Sequence, residues 1–269
     1  MRKLLPVVCC FLSLSLFAQD NYEIQVYGSQ TQAKHGSMFE LHSNFTFSGE
    51  KNIVDGVRPS NHALHETLEI TTGITDNFEL GFYLFTNYTS QYGYHVIGTH
   101  IRPRIMAPEK WHLPVGLSLS VEAGIQNTSY SPDKWNIEFR PIIDKDLGKL
   151  YISFNPTFGV SLKAADGYTT NSTPVFEPNL KVAYSFFKKA SFGFEYYGSL
   201  NSIMIDQFHK VDNSEHAIFA AYDLEGNDDW ELNFGPGWGL TKATDGFVFK
   251  VIMGRRIQWR SKNKTSAKK

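Results

Sequence analysis

A serine beside a histidine is the first arrangement in this sequence that could carry out chemistry, because histidine can deprotonate a serine hydroxyl for attack on an ester. His42 and Ser43 are adjacent in the run His-Ser-Asn. Successive side chains of a β-strand point to opposite faces, so these two would not meet. An acyl hydrolase of a membrane barrel needs the pair on one face near the outer rim. We therefore expect no enzyme and no catalytic residues.

A second candidate is a metal site in one loop. His209 and His216 lie close to three acids, Asp206, Asp212 and Glu215. Their spacing matches no standard ligand pattern, so a solvated loop is the better interpretation. The chain also has no Walker-type phosphate loop and no GxGxxG motif. We expect no metal and no cofactor.

The segments that must position any site alternate between apolar and polar residues. Leu117, Leu119 and Val121 alternate with Ser118 and Ser120, for example, which is the period of a β-strand. Most of the segments have 10–13 residues, a length that suits a tilted membrane strand better than a soluble one. Twelve strands are predicted, at 38–47, 63–74, 79–89, 96–107, 115–127, 135–146, 150–162, 174–186, 191–202, 217–225, 230–241 and 246–258.

The connections between these segments differ in length. Short turns at 75–78, 148–149, 187–190 and 226–229 contrast with longer loops at 48–62, 163–173 and 203–216. Bacterial outer-membrane barrels have short periplasmic turns, longer outer loops and an even strand number. The predicted fold is an all-β, transmembrane, antiparallel up-and-down β-barrel of about twelve strands, following a cleaved signal peptide.

If the apolar face of each strand meets lipid, the other face lines the lumen. Acids and bases are mixed on that face and could pair across neighbouring strands. Two interpretations stay open: a salt-bridged polar filling, or a charged constriction that selects small solutes. The residues expected to line the lumen are Glu69, His100, Arg102, Arg104, Glu122, Glu138, Arg140, Asp144, Asn155, Glu177, Lys181, Glu195 and Lys250.

Composition supports an exported membrane barrel. The 269 residues carry a formal net charge of −1, and no dense basic stripe indicates nucleic acid. Residues 1–18 resemble a signal peptide, with a positive start, an apolar run shorter than a membrane helix and a small residue at Ala18. Both cysteines lie inside it. We assign 19–37 to a periplasmic lead-in, with a plug-like strand as the alternative, 38–259 to the barrel and 260–269 to a basic flexible tail.

The positions of tryptophan and proline residues add detail to the predicted barrel. All five tryptophans, Trp111, Trp135, Trp230, Trp238 and Trp259, fall at or near predicted strand ends, as in the aromatic girdles of membrane proteins. Five prolines fall inside predicted strands on the apolar face, where we expect bulges or kinks because proline cannot donate to a ladder. They are Pro103, Pro141, Pro156, Pro178 and Pro236.

Several strand motifs resemble a known family. The runs at 136–158, 176–184, 192–200 and 230–241 are similar to the porin-like outer-membrane barrels named after the MetA pathway of phenol degradation. The resemblance covers about the last two-thirds of the mature chain and implies transport of small compounds, with aromatic ones as the suggested class. This sequence departs from that family in one respect. Many such barrels end on an aromatic residue, whereas here ten residues follow Trp259.

The function expected from the sequence is a passive channel or transport-related porin in a Gram-negative outer membrane. A structural or binding barrel with a blocked lumen is the alternative, and a lipid-modifying enzyme has less support. The expected partners are outer-membrane lipid, the barrel assembly machinery and small solutes, without nucleic acid.

Overall fold

A computed structural model describes residues 21–164, 167, 170, 174–200, 214–225 and 229–259. The predicted signal peptide, the basic tail and the loop residues Asp206, His209 and Asp212 lie outside the described residues. Within the described part, no helix is long and apolar enough to cross a membrane.

Twelve strands make up almost all of the regular structure, and each begins and ends within three residues of its predicted bounds. A short 3₁₀ helix at Glu109–Trp111 is the helical element between them. The strands are β1 (Gly36–Ser48), β2 (Leu64–Thr75), β3 (Phe78–Thr89), β4 (Gly93–Met106), β5 (Gly116–Gln126), β6 (Asp133–Leu147), β7 (Leu150–Ala164), β8 (Val175–Phe187), β9 (Ala190–Ser199), β10 (Glu215–Glu225), β11 (Trp230–Gly239) and β12 (Phe247–Gln258).

Each strand pairs antiparallel with its neighbours in sequence, and β1 closes the sheet against β12. Met38 lies opposite Arg256 in that closing pair, and Asn44 lies opposite Lys250. Closure leaves no free sheet edge, as a membrane-spanning sheet requires. The predicted up-and-down barrel of twelve strands is confirmed.

The connections define two ends of the barrel. The short-turn end carries 76–77, 148–149, 188–189, 226–229 and the longer 107–115. The long-loop end carries 49–63, 165–174, 200–214, 240–246 and two shorter connections, 90–92 and 127–132. β1 starts and β12 finishes at the short-turn end, because the strand number is even.

The alternation in sequence separates an apolar exterior from a polar interior. Leu68 is 41% exposed on the outer face, whereas its neighbour Glu69 is fully buried. Phe139 is likewise exposed and Arg140 buried. A soluble barrel would bury its apolar face instead. Apolar side chains therefore meet lipid and the lumen is charged.

The five tryptophans are all exposed and fall at the two ends of the barrel. Trp135 and Trp238 lie near the long-loop end, and Trp111, Trp230 and Trp259 lie at the short-turn end. Indole rings favour the two boundaries between hydrocarbon and water, so this arrangement fits two aromatic girdles.

The prolines interrupt ladders without the expected bulges. Pairing between β6 and β7 has the same register on both sides of a gap at Pro141 and Pro156. Similar gaps occur between β4 and β5 near Pro103 and between β10 and β11 near Pro236. Each proline lacks one backbone N–H donor, and the residue pairs on either side of each gap keep the strand register unchanged.

Candidate functional site

An extended stretch at residues 21–34, here called the inner segment, runs inside the barrel from the long-loop end to the short-turn end. At its start, Asn21 Nδ2 donates to Asp245 Oδ2 (2.7 Å) in the loop between β11 and β12. Near its end, the backbone N–H of Gln32 donates to Glu79 Oε2 (2.6 Å) on β3. The chain then turns into β1 beside Gly73, which forms an isolated bridge with Lys34.

This position corrects the assignment of residues 19–37 to a periplasmic lead-in, as far as they are described. Residues 21–34 occupy the lumen, and 36–37 already belong to β1. The plug-like alternative describes the inner segment better. The physical reason is that Ile24 and Val26 pack on apolar lumen residues of β9, β10 and β12, which are Tyr197, Ala217, Phe219 and Val248.

Side chains of the barrel wall form hydrogen bonds with backbone N–H and C=O groups of the inner segment. Asn155 and Ser153 of β7 bind both polar groups of the Tyr27 backbone. Thr67 Oγ1 donates to the carbonyl of Tyr22 (2.6 Å), and Asn44 Nδ2 donates to that of Asn21 (2.8 Å). These backbone polar groups of the segment are thus hydrogen-bonded although the segment does not join the sheet as a strand.

Two arginines of β4 form the charged centre on one side of the lumen. Arg102 Nη2 lies 2.5 Å from Glu69 Oε1, and Arg104 Nη2 lies 2.6 Å from Glu79 Oε1. Arg104 also donates to the carbonyls of Gly28 (3.1 Å) and Gln30 (2.8 Å) in the inner segment. These buried cations therefore hold the segment as well as their carboxylate partners.

Tyr27 lies where several of these groups meet. Its hydroxyl donates to Glu23 and lies 3.1 Å from the hydroxyl of Tyr83. The guanidinium carbons of Arg102 and Arg140 lie 4.7 Å and 5.0 Å from the centre of its ring, within cation–π range. One aromatic side chain of the inner segment thus bridges β3, β4 and β6.

A second charged group lies on β8, β9, β10 and β12. Glu195 accepts from Lys250 and lies 3.2 Å from Lys181, which also lies 2.7 Å from Asp223. Lys250 further donates to the carbonyl of Ile24 (3.1 Å). This group contacts the inner segment through a single backbone oxygen.

A third group lies on β4, β5 and β6. His100 Nδ1 is 2.6 Å from Glu122 Oε1. Arg140 binds Glu138 (2.7 Å) and Glu23 (3.2 Å), so one guanidinium faces two carboxylates. The charged lumen residues thus fall into three groups, within which Arg140 is shared by two carboxylates and Glu195 by two lysines.

The structure places all thirteen residues expected in the lumen on inward faces. Twelve take part in the contacts above or bind the inner segment; Asp144, for example, accepts from Ser29 Oγ (2.7 Å). Asn155 binds Tyr27, and Glu177 lines the cavity described next. Sequence reasoning missed Glu23, Tyr27, Glu79 and Asp223. The inward parity of β3 could have indicated Glu79, whereas Glu23 and Tyr27 precede the first recognisable strand.

A cavity of about 430 Å³, here called the vestibule, opens at the long-loop end. Its wall includes loop residues such as Arg58 and Asp245, and it extends inward to Arg140 and Asn179. Glu23 and Gln25 of the inner segment also line it. At its rim, the backbone N–H of Asn52 donates to Glu50 and lowers the pKa of that carboxyl. The vestibule can admit a small solute from the loop side.

The arrangements considered for catalysis are not assembled. His42 is fully buried in the lumen and Ser43 lies on the other face, 3.5 Å from Glu66. A histidine and a serine two residues apart do occur at His35 and Ser37, but they lie at the short-turn end, where Ser37 Oγ binds Thr72 and Trp259. Among the described residues, no three His, Cys, Asp or Glu side chains are grouped as metal ligands.

Comparison with known proteins gives structural similarity alone. No protein-family model matches the sequence, and no curated protein matches it. An outer-membrane channel from Pseudomonas putida F1 has a similar structure, with a TM-score of 0.58, 12% identity, and coverage of 87% of this chain and 100% of that one. The NanC porin gives a TM-score of 0.52 at 7% identity, covering 80% of this chain and 97% of that one. The chain therefore has the fold of outer-membrane β-barrel channels and porins.

Proposed function

We propose that this protein is a passive channel for small solutes in a bacterial outer membrane, and that the inner segment narrows its lumen. The observation that carries the proposal is the vestibule, an open cavity that leads from the long-loop end into a charged lumen. A solute entering there meets charged and polar side chains, apolar side chains such as Phe219 and Val248, and the inner segment. The apolar exterior supports the membrane setting.

The way the inner segment is held supports a constriction that can shift. Its polar contacts with the wall are side-chain hydrogen bonds and ion pairs, Ile24 and Val26 add apolar packing, and its ladder contact among the described residues is the bridge between Lys34 and Gly73. Each such hydrogen bond contributes about 0.5–1.5 kcal/mol, far less than a continuous strand pairing would. Small displacements of the segment would open a path along the wall.

The second candidate is a barrel with a blocked lumen. One observation favours it: the inner segment spans the interior and binds wall residues at every level, from Asp245 through Asn155 to Glu79. Such a barrel would carry no flux and would offer its long loops to a partner. Conductance distinguishes it from a channel.

A reversible lock on the inner segment tests the channel function. A Cβ atom built on Gly116 would collide with Ser29 Oγ and with Asp144 Oδ1, so the side chain of Asp144 must shift, and cysteines at 29 and 116 are close enough to link once it does. The predicted mature chain has no other cysteine to compete. We expect the Ser29→Cys/Gly116→Cys variant to carry a smaller current in planar bilayers when oxidised than after reduction.

The matched controls are the single variants Ser29→Cys and Gly116→Cys, whose current should not respond to the reductant. A steady current in the wild-type protein would contradict the blocked-lumen alternative. Absence of current in the wild-type protein and in the reduced double variant would overturn the channel proposal.

The finer assignments belong to the same proposal. The sequence resemblance to the barrels named after the MetA pathway supports transport of small compounds, and similarity to channels rather than enzymes supports a protein without catalytic activity. We propose outer-membrane lipid and the assembly machinery as partners. Trp259 at the end of β12 supports an internal assembly signal, since it packs on Phe39.

A further inference from the structure

Acidic side chains outnumber basic ones in the lining of the vestibule. Among the described residues that line it, nine are Asp or Glu and three are Arg or Lys. The acids of β5 and β6 that line it are Glu122, Asp133 and Glu138, here called the acidic wall. Charges that line a low-dielectric cleft focus the field and raise the local concentration of counter-ions.

Within the acidic wall, Glu122 gives the most direct indication of a ligand. Its side chain is 6% exposed, and its Oε1 pairs with His100. Its Oε2 is buried without a hydrogen-bond partner among the described residues. Leaving a buried carboxylate oxygen without a donor is unfavourable, so a donor supplied from the cavity would stabilise it.

Asp133 and Glu138, the other two members of the acidic wall, differ in how they are placed and paired. A register irregularity in β6 between Asp133 and Asn136 lets Asp133 line the vestibule although it differs in parity from Glu138. Glu138 shares its one cation, Arg140, with Glu23 of the inner segment. A single guanidinium thus serves two carboxylates at the floor of the vestibule.

The far side of the vestibule has a different chemistry. Phe219 on β10, Val248 on β12 and Ile24 of the inner segment are buried apolar side chains that also line the cavity. In strand order β12 lies half a barrel away from β6. A solute in the vestibule therefore meets carboxylates on one side and hydrocarbon on the other.

We propose that the vestibule is selective for cations, and that small organic ammonium ions are the solutes the channel prefers. The ammonium group would donate to the acidic wall while its carbon skeleton contacts the apolar side. Anions are disfavoured because the like-charged lining repels them. This inference rests on the proposed channel function.

Reversal potentials in planar bilayers test the selectivity. Under a KCl gradient, the wild-type protein should show a permeability ratio of K⁺ over Cl⁻ above about 3, because focused fields change local ion concentrations by tenfold or more. Choline should carry current when it replaces K⁺. At about 1 M salt the selectivity should fall, since the screening length shrinks to about 3 Å.

The decisive variant is Glu122→Gln/Asp133→Asn/Glu138→Gln, which removes charge and keeps hydrogen-bond acceptors. Its permeability ratio should fall clearly below that of the wild type, while the six remaining acids keep some preference for K⁺. The control is Glu109→Gln, the same type of substitution for one acid at an exposed position of the short-turn end, which should leave the ratio unchanged. Far-ultraviolet circular dichroism and heat-modified gel mobility show whether each variant is folded.

The outcomes separate the two proposals. Wild-type current that prefers Cl⁻, or a folded triple variant with unchanged K⁺ preference, would overturn cation selectivity and leave the channel function standing. No current at all, in the wild type and in the reduced Ser29→Cys/Gly116→Cys variant, would overturn the channel function and the selectivity with it.

Discussion

The side chain of Asn155 binds the backbone of Tyr27 as a neighbouring strand would. The N–H of Tyr27 donates to Asn155 Oδ1 (2.8 Å), and Asn155 Nδ2 donates to the carbonyl of Tyr27 (3.0 Å). Both residues are buried. One amide thus satisfies a donor and an acceptor at the middle of the inner segment, where water would otherwise have to do so.

Replacing Asn155 with alanine should loosen the inner segment. Two hydrogen bonds to Tyr27 and one to Ser153 are lost, at about 0.5–1.5 kcal/mol each. We expect larger single-channel current with more frequent fluctuations in planar bilayers. Asn179→Ala is the matched control, because Asn179 lies opposite Asn155 on β8 and binds only wall groups, Thr157 and Glu177. Equal effects of both variants would show that Asn155 acts through the wall.

Removing Arg104 should release the lower part of the inner segment and cost stability. Arg104→Met loses bonds to the carbonyls of Gly28 and Gln30 and leaves Glu79 with the more distant Arg102, 3.6 Å away. Hydrogen bonds to charged groups contribute about 1.5–3 kcal/mol each. We expect a lower urea midpoint for unfolding from lipid vesicles.

A second substitution separates the effect of the unpaired Glu79 charge from the effect of losing the hydrogen bonds between Arg104 and the inner segment. Adding Glu79→Gln to Arg104→Met should recover part of the lost stability, because the carboxylate no longer lacks its partner. The current through both variants should exceed that of the wild type, since the carbonyls of Gly28 and Gln30 lack their donor in each. Recovery of wild-type current in the double variant would contradict the role given to Arg104.

A side chain at Gly73 should displace the turn that leads from the inner segment into β1. A Cβ atom there would collide with the carbonyl oxygens of Gln32 and Ala33. We expect Gly73→Ala to make the exposed Lys34 more susceptible to trypsin in folded protein. Gly159→Ala is the control, because no atom lies within 4 Å of a Cβ at that position. Cleavage at equal rates would show that the turn adapts.

The strands could be predicted from sequence because period-two alternation and membrane length act together on each of them. The partners in the lumen could not. Glu69 on β2 binds Arg102 on β4, two strands away, and the intervening position on β3 is Gly81. A Cβ on Gly81 would lie 3.3 Å from Arg102 Nε, so the missing side chain is what lets the arginine reach across.

The inner segment was harder still to predict. Only Ile24 and Val26 alternate clearly, and its polar partners come from strands throughout the barrel. An isolated extended segment has the same local sequence signals whether it lies outside a barrel or within it. Its position depends on side chains such as Asn155 and Arg104, which the sequence shows only as inward-facing residues.

The last prediction concerns the faces of β6. Phe139 is 41% exposed on the outer surface, and Arg140 is 7% exposed in the lumen. An arginine facing lipid near the midplane costs about 2–4 kcal/mol in membrane barrels. Phe139→Arg should therefore impair folding into vesicles, measured as the yield of folded protein on unheated gels.

Arg140→Ala is the paired variant and should leave that folding yield largely intact. It removes the cation shared by Glu23 and Glu138, so its effect should appear as altered current through the lumen. If Arg140→Ala reduced the folding yield as much as Phe139→Arg, Arg140 would be needed for insertion, and the channel proposal would weaken. If Phe139→Arg folded normally in vesicles, the outward assignment of Phe139 would be wrong, because a lipid-facing charge cannot be accommodated there without cost.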